Sequence, residues 1–148
     1  MSAAPASVID ALNGLLEAEI NSVFRFMGAG SPYLGRASGE VRRPLAEMVI
    51  AGERRAAELA DMIDALGGNA VPSSVAPEEQ YLAYLSLKFL LPKLVSAKQL
   101  AVQRYANALK ALNTAPPEVK QLLQSHLREL QAELQTLDHA AADVAKQK

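Results

Sequence analysis

The sequence predicts an all-α four-helix bundle, on three observations. The alphabet is dominated by Ala, Leu, Glu, Gln, Lys and Arg, with only 3 Phe, 4 Tyr and no Trp in 148 residues, so intrinsic propensity favours helix over strand. Gly and Pro, 8 of each, fall in clusters that cut the chain into four long pieces. Each piece, laid out at about 100° per residue, carries one apolar stripe. Four long amphipathic helices bury such stripes against one another.

The first helix is expected over 8–27, with Ser7 as its N-cap and Gly28, Gly30 and Pro32 ending it. Its stripe is Val8, Leu12, Leu15, Leu16, Glu19, Val23 and Phe26. The second, over 41–66, opens between Glu40 and Pro44, because Pro is tolerated in a first turn, and stops before Gly67-Gly68. Leu45, Met48, Gly52, Arg55, Leu59, Met62, Ile63 and Leu66 form its stripe. After a Pro- and Ser-rich loop the third helix runs over 78–112, with Glu78-Glu79 suited to its N-terminal dipole. Pro92 should kink or split it, or else mark the edge of a pocket. Here the stripe is Leu91, Leu94, Val95, Lys98, Ala101, Val102, Tyr105, Leu109 and Leu112. Pro116-Pro117 then precedes a fourth helix over 118–142, striped by Val119, Leu123, Leu127, Leu130, Leu134 and Leu137, with Lys146-Gln147-Lys148 as a frayed end.

A chain of this length, 50% hydrophobic, fits a single helical domain over 1–148 rather than a disordered segment. Fifteen Lys+Arg against sixteen Asp+Glu leave a net charge of −1, so no strong field favours nucleic acid or an anionic membrane. The absence of Cys excludes disulfides, thiolate metal sites and a Cys nucleophile. No apolar run reaches membrane-span length, and the N-terminus does not read as a signal peptide. A cytoplasmic location is the default expectation.

Three charged residues interrupt the stripes: Glu19 on the first helix, Arg55 on the second and Lys98 on the third. Alone, each is costly to bury; together they compensate one another, so a buried polar cluster at mid-height is expected. The competing reading lets Lys98 and Arg55 run their stems along apolar surface and keep their heads in water. Glu17, Glu47, Glu53, Glu58 and Asp61 point away from the stripes and read as solvated surface. His126 lies roughly 50° from the centre of the fourth stripe and reads as a boundary histidine, and His139 as exposed near a helix C-terminus. Tyr81, Tyr84 and Tyr105 read as packing residues with wet hydroxyls.

The segment Leu12-Asn13-Gly14-Leu15-Leu16-Glu17-Ala18-Glu19-Ile20-Asn21 resembles the opening helix of bacterioferritins and related ferritin-like proteins, and Leu66-Gly67-Gly68 resembles the end of their second helix. The likeness covers most of the chain and is strongest from Val8 to Gly68. It implies a ferritin-like fold, with the family's first iron-binding Glu at Glu19. The family's Glu-x-x-His on the second helix falls on Gly52 and Arg55, and its Glu on the third falls near Ala101, where Lys98 is the nearest inward polar residue. On the fourth helix only a reversed pair, His126 and Glu129, is present. A di-iron carboxylate bundle needs a Glu from two helices and Glu-x-x-His from two more.

The resemblance therefore implies a degenerate metal site replaced by buried ion pairs, with no cofactor. The expected function is that of a non-catalytic helical bundle acting as an oligomer subunit or a binding and scaffold module; the family implies a homo-oligomer, a dimer first. The alternative is a metal-binding protein or oxidoreductase with a reduced iron site made of Glu19, His126 and Glu129. A third reading is a pocket for a small anion held by Arg55 and Lys98.

Overall fold

The computed structural model describes residues 6–20, 39–70, 87–112 and 115–146. They form four helices: α1 (Ala6–Ile20), α2 (Gly39–Ala65), α3 (Leu87–Ala111) and α4 (Pro117–Lys146). The expected segments 21–27 and 78–86, with Val23, Phe26, Tyr81 and Tyr84, lie outside the described residues. Ser7, expected as a cap, is inside the first turn of α1. Pro44 sits deeper than the first turn of α2, so that helix gives up a ladder hydrogen bond near its start. Pro92 lies within α3 with its ring exposed, and the helix is not split there; on the solvent side water can meet the carbonyl that Pro leaves without a donor. α4 runs a full turn beyond the expected end, to Lys146. The added turn, Asp143-Val144-Ala145-Lys146, holds no Gly or Pro to stop the helix.

α1 packs along α2 and α3 along α4, and contacts of α2 with α4 and of α1 with α3 close the bundle. Around the bundle the order is therefore α1, α2, α4, α3. All four helices meet in one core, in which Leu12, Leu59, Ile63, Val119 and Leu123 are completely buried. Each such side chain contributes about 1.5–3 kcal/mol of apolar burial. Ile50 and Leu100 are the large apolar side chains left exposed among the described residues; they sit on α2 and α3, at opposite corners, and make no joint patch. Among the described residues no helix is long and apolar enough to cross a membrane.

The end of α2 shows why the chain uses two glycines there. The Gly67 N–H donates to the Asp64 carbonyl at 3.0 Å and the Gly68 N–H to the Ile63 carbonyl at 2.9 Å, the paired bonds of a left-handed helix stop. Gly67 takes φ +84°, a region that L side chains enter at a cost of about 1–2 kcal/mol. Gly68 is constrained by space: a Cβ there would come within 2.7 Å of Ile9 Cγ2 on α1. Asn13 Nδ2 on α1 then donates to the Asn69 carbonyl at 3.0 Å, tying the exit of α2 to its neighbour. Gly67→Ala is expected to lower stability by about 1 kcal/mol. The loss should appear as a lower urea midpoint at unchanged slope.

Candidate functional site

The helical stripes carry the charged residues inward. Glu19 continues the Leu12, Leu15, Leu16 face of α1; Arg55 lies one turn before Leu59 on α2; Lys98 lies one turn after the buried Leu94 on α3. On α4, Glu133 falls one turn after Leu130 and one before Leu137, both buried. At the level where these positions meet, the core is polar.

The centre of the cluster is the guanidinium of Arg55, whose side chain is 1% exposed. Its Nε donates to Glu19 Oε1 at 3.0 Å. Nη1 and Nη2 engage both oxygens of Glu133, at 2.8 and 3.2 Å, the two-point geometry that suits Arg to carboxylate. Nη1 also reaches Glu129 Oε1 at 3.2 Å. Lys98 Nζ, equally buried, donates to Glu133 Oε1 at 2.6 Å. Glu19 and Arg55 are thus in direct contact, and Lys98 joins them through Glu133. Neither cation surfaces its head, so the reading in which Arg55 and Lys98 snorkel is corrected: at mid-helix both heads are buried and held by carboxylates from α1 and α4. The anion-pocket reading fails for the same reason, because both heads face Glu133.

A more exposed arm continues the network. Arg54 Nη2 donates to Glu129 Oε1 at 2.6 Å and its Nη1 to Glu58 Oε1 at 2.7 Å. Glu58 also meets His126 Nε2 at 3.1 Å, while Tyr105 Oη lies 3.0 Å from His126 Nδ1. Glu58 can only accept, so Nε2 carries the proton of the neutral ring and Nδ1 accepts from the Tyr105 hydroxyl. Three expectations change here. His126 is 1% exposed rather than at the boundary, because the edge of the α4 stripe packs against Tyr105 of α3. The Tyr105 hydroxyl is dry, since the ring is 2% exposed and its oxygen has a protein partner. Glu58 bridges Arg54 and His126 instead of standing free in solvent. His139 is exposed, as expected.

Charge and burial compete throughout this cluster. Burial raises the Glu19 carboxyl above its ordinary value of 4.5, against the opposing pull of Arg55 and Lys98. The Lys98 ammonium is lowered by burial despite the attraction of Glu133. Burial acts to lower Arg55 too, yet the hydrogen bonds and charges of Glu133 and Glu19 outweigh it and hold the guanidinium charged. For Glu129, burial is outweighed by Arg54 and Arg55, and its carboxyl lies below the ordinary 4.5. Burial lowers His126 from 6.5 although Glu58 opposes it, and it raises the Tyr105 phenol well beyond its usual range, with Glu19 adding to the effect.

Two features bear on metal. At Gly52, where the resembled motif has a carboxylate, a Cβ would meet Glu19 Oε2 at 3.3 Å and Arg55 Nη2 at 3.8 Å. Among the described residues no three His, Asp or Glu side chains are grouped so as to hold a metal ion. Glu19 faces Arg55, Glu129 faces Arg54 and Arg55, and His126 faces Tyr105 and Glu58.

No protein-family model matches the chain, and no curated protein matches it in sequence. Among solved structures it is similar to the bacterioferritin of Desulfovibrio desulfuricans, with a TM-score of 0.79 and 18% identity over 95% of this chain and 81% of that one. The chain has the ferritin-like four-helix-bundle fold. The bacterioferritin structure is described as having a di-iron site in different catalytic states; at this identity the likeness speaks for the ferritin-like fold and for nothing further.

The principal residue that sequence reasoning missed is Glu133, with Arg54 and Glu58 beside it. A signal was present: His126, Glu129 and Glu133 stand at i, i+3 and i+7 on α4, a second line at helical spacing beside the Leu stripe.

Replacing Glu133 by Leu leaves Arg55 and Lys98 short of their shared carboxylate, and should cost about 3–5 kcal/mol in urea unfolding. Glu53→Ala, at an exposed position of α2, should change stability by less than about 0.5 kcal/mol.

The pH response of His126 has a definite sign. Its folded-state value is depressed, so its contribution is present above 6.5 and is lost as pH falls through the lower folded value. Thermal unfolding of the wild type and of His126→Gln, compared from neutral pH downward, should show the wild type losing stability relative to the variant below 6.5.

Proposed function

We propose that this protein is a non-catalytic ferritin-like bundle in which an ion-pair network takes the place that the resembled family gives to iron. One observation carries the reading: a buried guanidinium, Arg55, is hydrogen-bonded to Glu19, Glu129 and Glu133. Those carboxylates are the anionic oxygens that two metal cations would require. With Arg55 and Lys98 among them, a dication entering the same space meets two positive charges in a poorly solvated interior. The residues present do not fit a dinuclear iron centre, and no chemistry is assigned to one.

Glu19, His126 and Glu129, the set that a reduced site would use, spend their polar atoms on Arg55, on Tyr105 and Glu58, and on Arg54 and Arg55. What remains for function is the outer surface of the helices, and the role proposed is that of a homo-oligomer subunit, a dimer first, or a binding and scaffold module.

The test is elemental analysis of purified protein exposed to ferrous iron in air and then desalted, with sedimentation over a range of concentrations alongside it. The expected result is no iron above trace and a mass of twice the chain at high concentration. One or two iron atoms per chain would overturn the reading and put the iron-site alternative first.

A further inference from the structure

The Tyr105, His126 and Glu58 line remains unexplained by the ion-pair reading, since a core needs neither a buried phenol nor a buried imidazole to hold Arg55. Its geometry is directional. The phenol of Tyr105 on α3 donates to Nδ1 of His126 on α4 at 3.0 Å, and Nε2–H of the same ring points to Glu58 on α2 at 3.1 Å. The line is open at its outer end alone: Tyr105 is 2% exposed, His126 1%, and the Glu58 side chain 40%. A base within hydrogen-bond reach of a hydroxyl, itself oriented by a carboxylate, is the arrangement that removes a proton from that hydroxyl.

Burial decides which reactions can use it. A group-transfer substrate has to touch the phenolic oxygen, and at 2% exposure of the whole residue nothing the size of an acyl or glycosyl group reaches it. An electron needs no such contact. Simple ionisation is also blocked, because a phenolate in this environment is a desolvated charge. Loss of an electron alone would leave a cation in the same place. Loss of both together leaves the ring neutral before and after, with the proton on an imidazole that already faces a carboxylate.

We propose that Tyr105 is a redox-active side chain, which yields one electron to an outer-sphere one-electron oxidant outside the bundle while its phenolic proton passes to His126 Nδ1. The O–H bond of Tyr105 breaks and an N–H bond forms on His126. The oxidant is reduced by one electron, and the products are a neutral phenoxyl radical and an imidazolium paired with Glu58. From Nε2 a proton can move on to Glu58, whose half-open carboxyl exchanges with water; a one-electron donor reverses the sequence. The composition concentrates oxidation on this residue type, since the sequence has 4 Tyr but no Trp and no Cys to be oxidised first.

The experiment uses photogenerated tris(bipyridine)ruthenium(III) as oxidant, with transient absorption and electron paramagnetic resonance to detect the tyrosyl radical. The remaining tyrosines, Tyr33, Tyr81 and Tyr84, are replaced by Phe in the background, and folding of every variant is checked by circular dichroism. The expected result is a tyrosyl signal in that background, where Tyr105 is the one tyrosine left, that forms more slowly in heavy water and more slowly by about a hundredfold in His126→Phe, the range that a positioned base contributes. Should His126→Phe fail to fold, Glu58→Gln serves instead: its amide still accepts from Nε2–H but cannot carry the proton away, and the radical should decay by faster proton return. The proposal is overturned if no tyrosyl signal forms in that background. A rate that is the same in light and heavy water, or unchanged in His126→Phe, overturns it as well, as does an unchanged radical lifetime in Glu58→Gln. None of these readouts depends on whether iron binds, so the outcome is separable from that of the proposed function.

Discussion

A guanidinium cannot be left alone in an apolar interior, and the middle of this bundle is arranged around that constraint. Arg55 enters from α2 with no route to water and needs acceptors for its donors. They come from α1, as Glu19, and from α4, as Glu129 and Glu133. Lys98 from α3 then balances the second oxygen of Glu133. All four helices contribute a charge at one level, and each has to stand at the axial height and rotation that bring its side chain to the others.

Such a network is a weak source of net stability. Desolvating several charges costs much of what their attraction returns, and apolar residues of similar volume often do as well. Its stronger effect is on alternatives. A slip of one helix by a turn would break the two-point contact of Arg55 with Glu133 and mismatch the charges that meet at this level, whereas Leu against Leu tolerates displacement. Here the apolar core on either side supplies the burial, through Leu12, Ile63 and Leu123 on one side and Leu45, Leu94 and Leu137 on the other, while the polar level between them selects one register. In a metal-binding bundle an ion imposes the same discipline on its ligands; a guanidinium does it with a fixed planar fork and brings its own positive charge.

The outer arm behaves differently from the centre. Arg54 and Glu58 are close to half exposed, so their pairing is screened by solvent and adds little on its own. What gives Glu58 its importance is His126 behind it, a neutral ring that it orients toward Tyr105. A polar line crossing three helices from core to surface joins the dry interior to water.

Much of the architecture was legible in the sequence. Propensity, the apolar stripes and the Gly67-Gly68 stop are local properties, set within a turn or two of each residue, and they determined that four helices form, where α2 ends and that Glu19, Arg55 and Lys98 point inward. Tertiary structure decided which helix lies against which and who partners whom. Arg55 finds Glu19 from 36 residues away and Glu133 from 78, separations over which periodicity carries no information. The depth of His126, the dry hydroxyl of Tyr105 and the central place of Glu133 depend on the rotation of α4 against α2 and α3. A stripe locates a helical face only to within a few tens of degrees, and at its edge that is the difference between a solvated carboxylate and the partner of a buried cation.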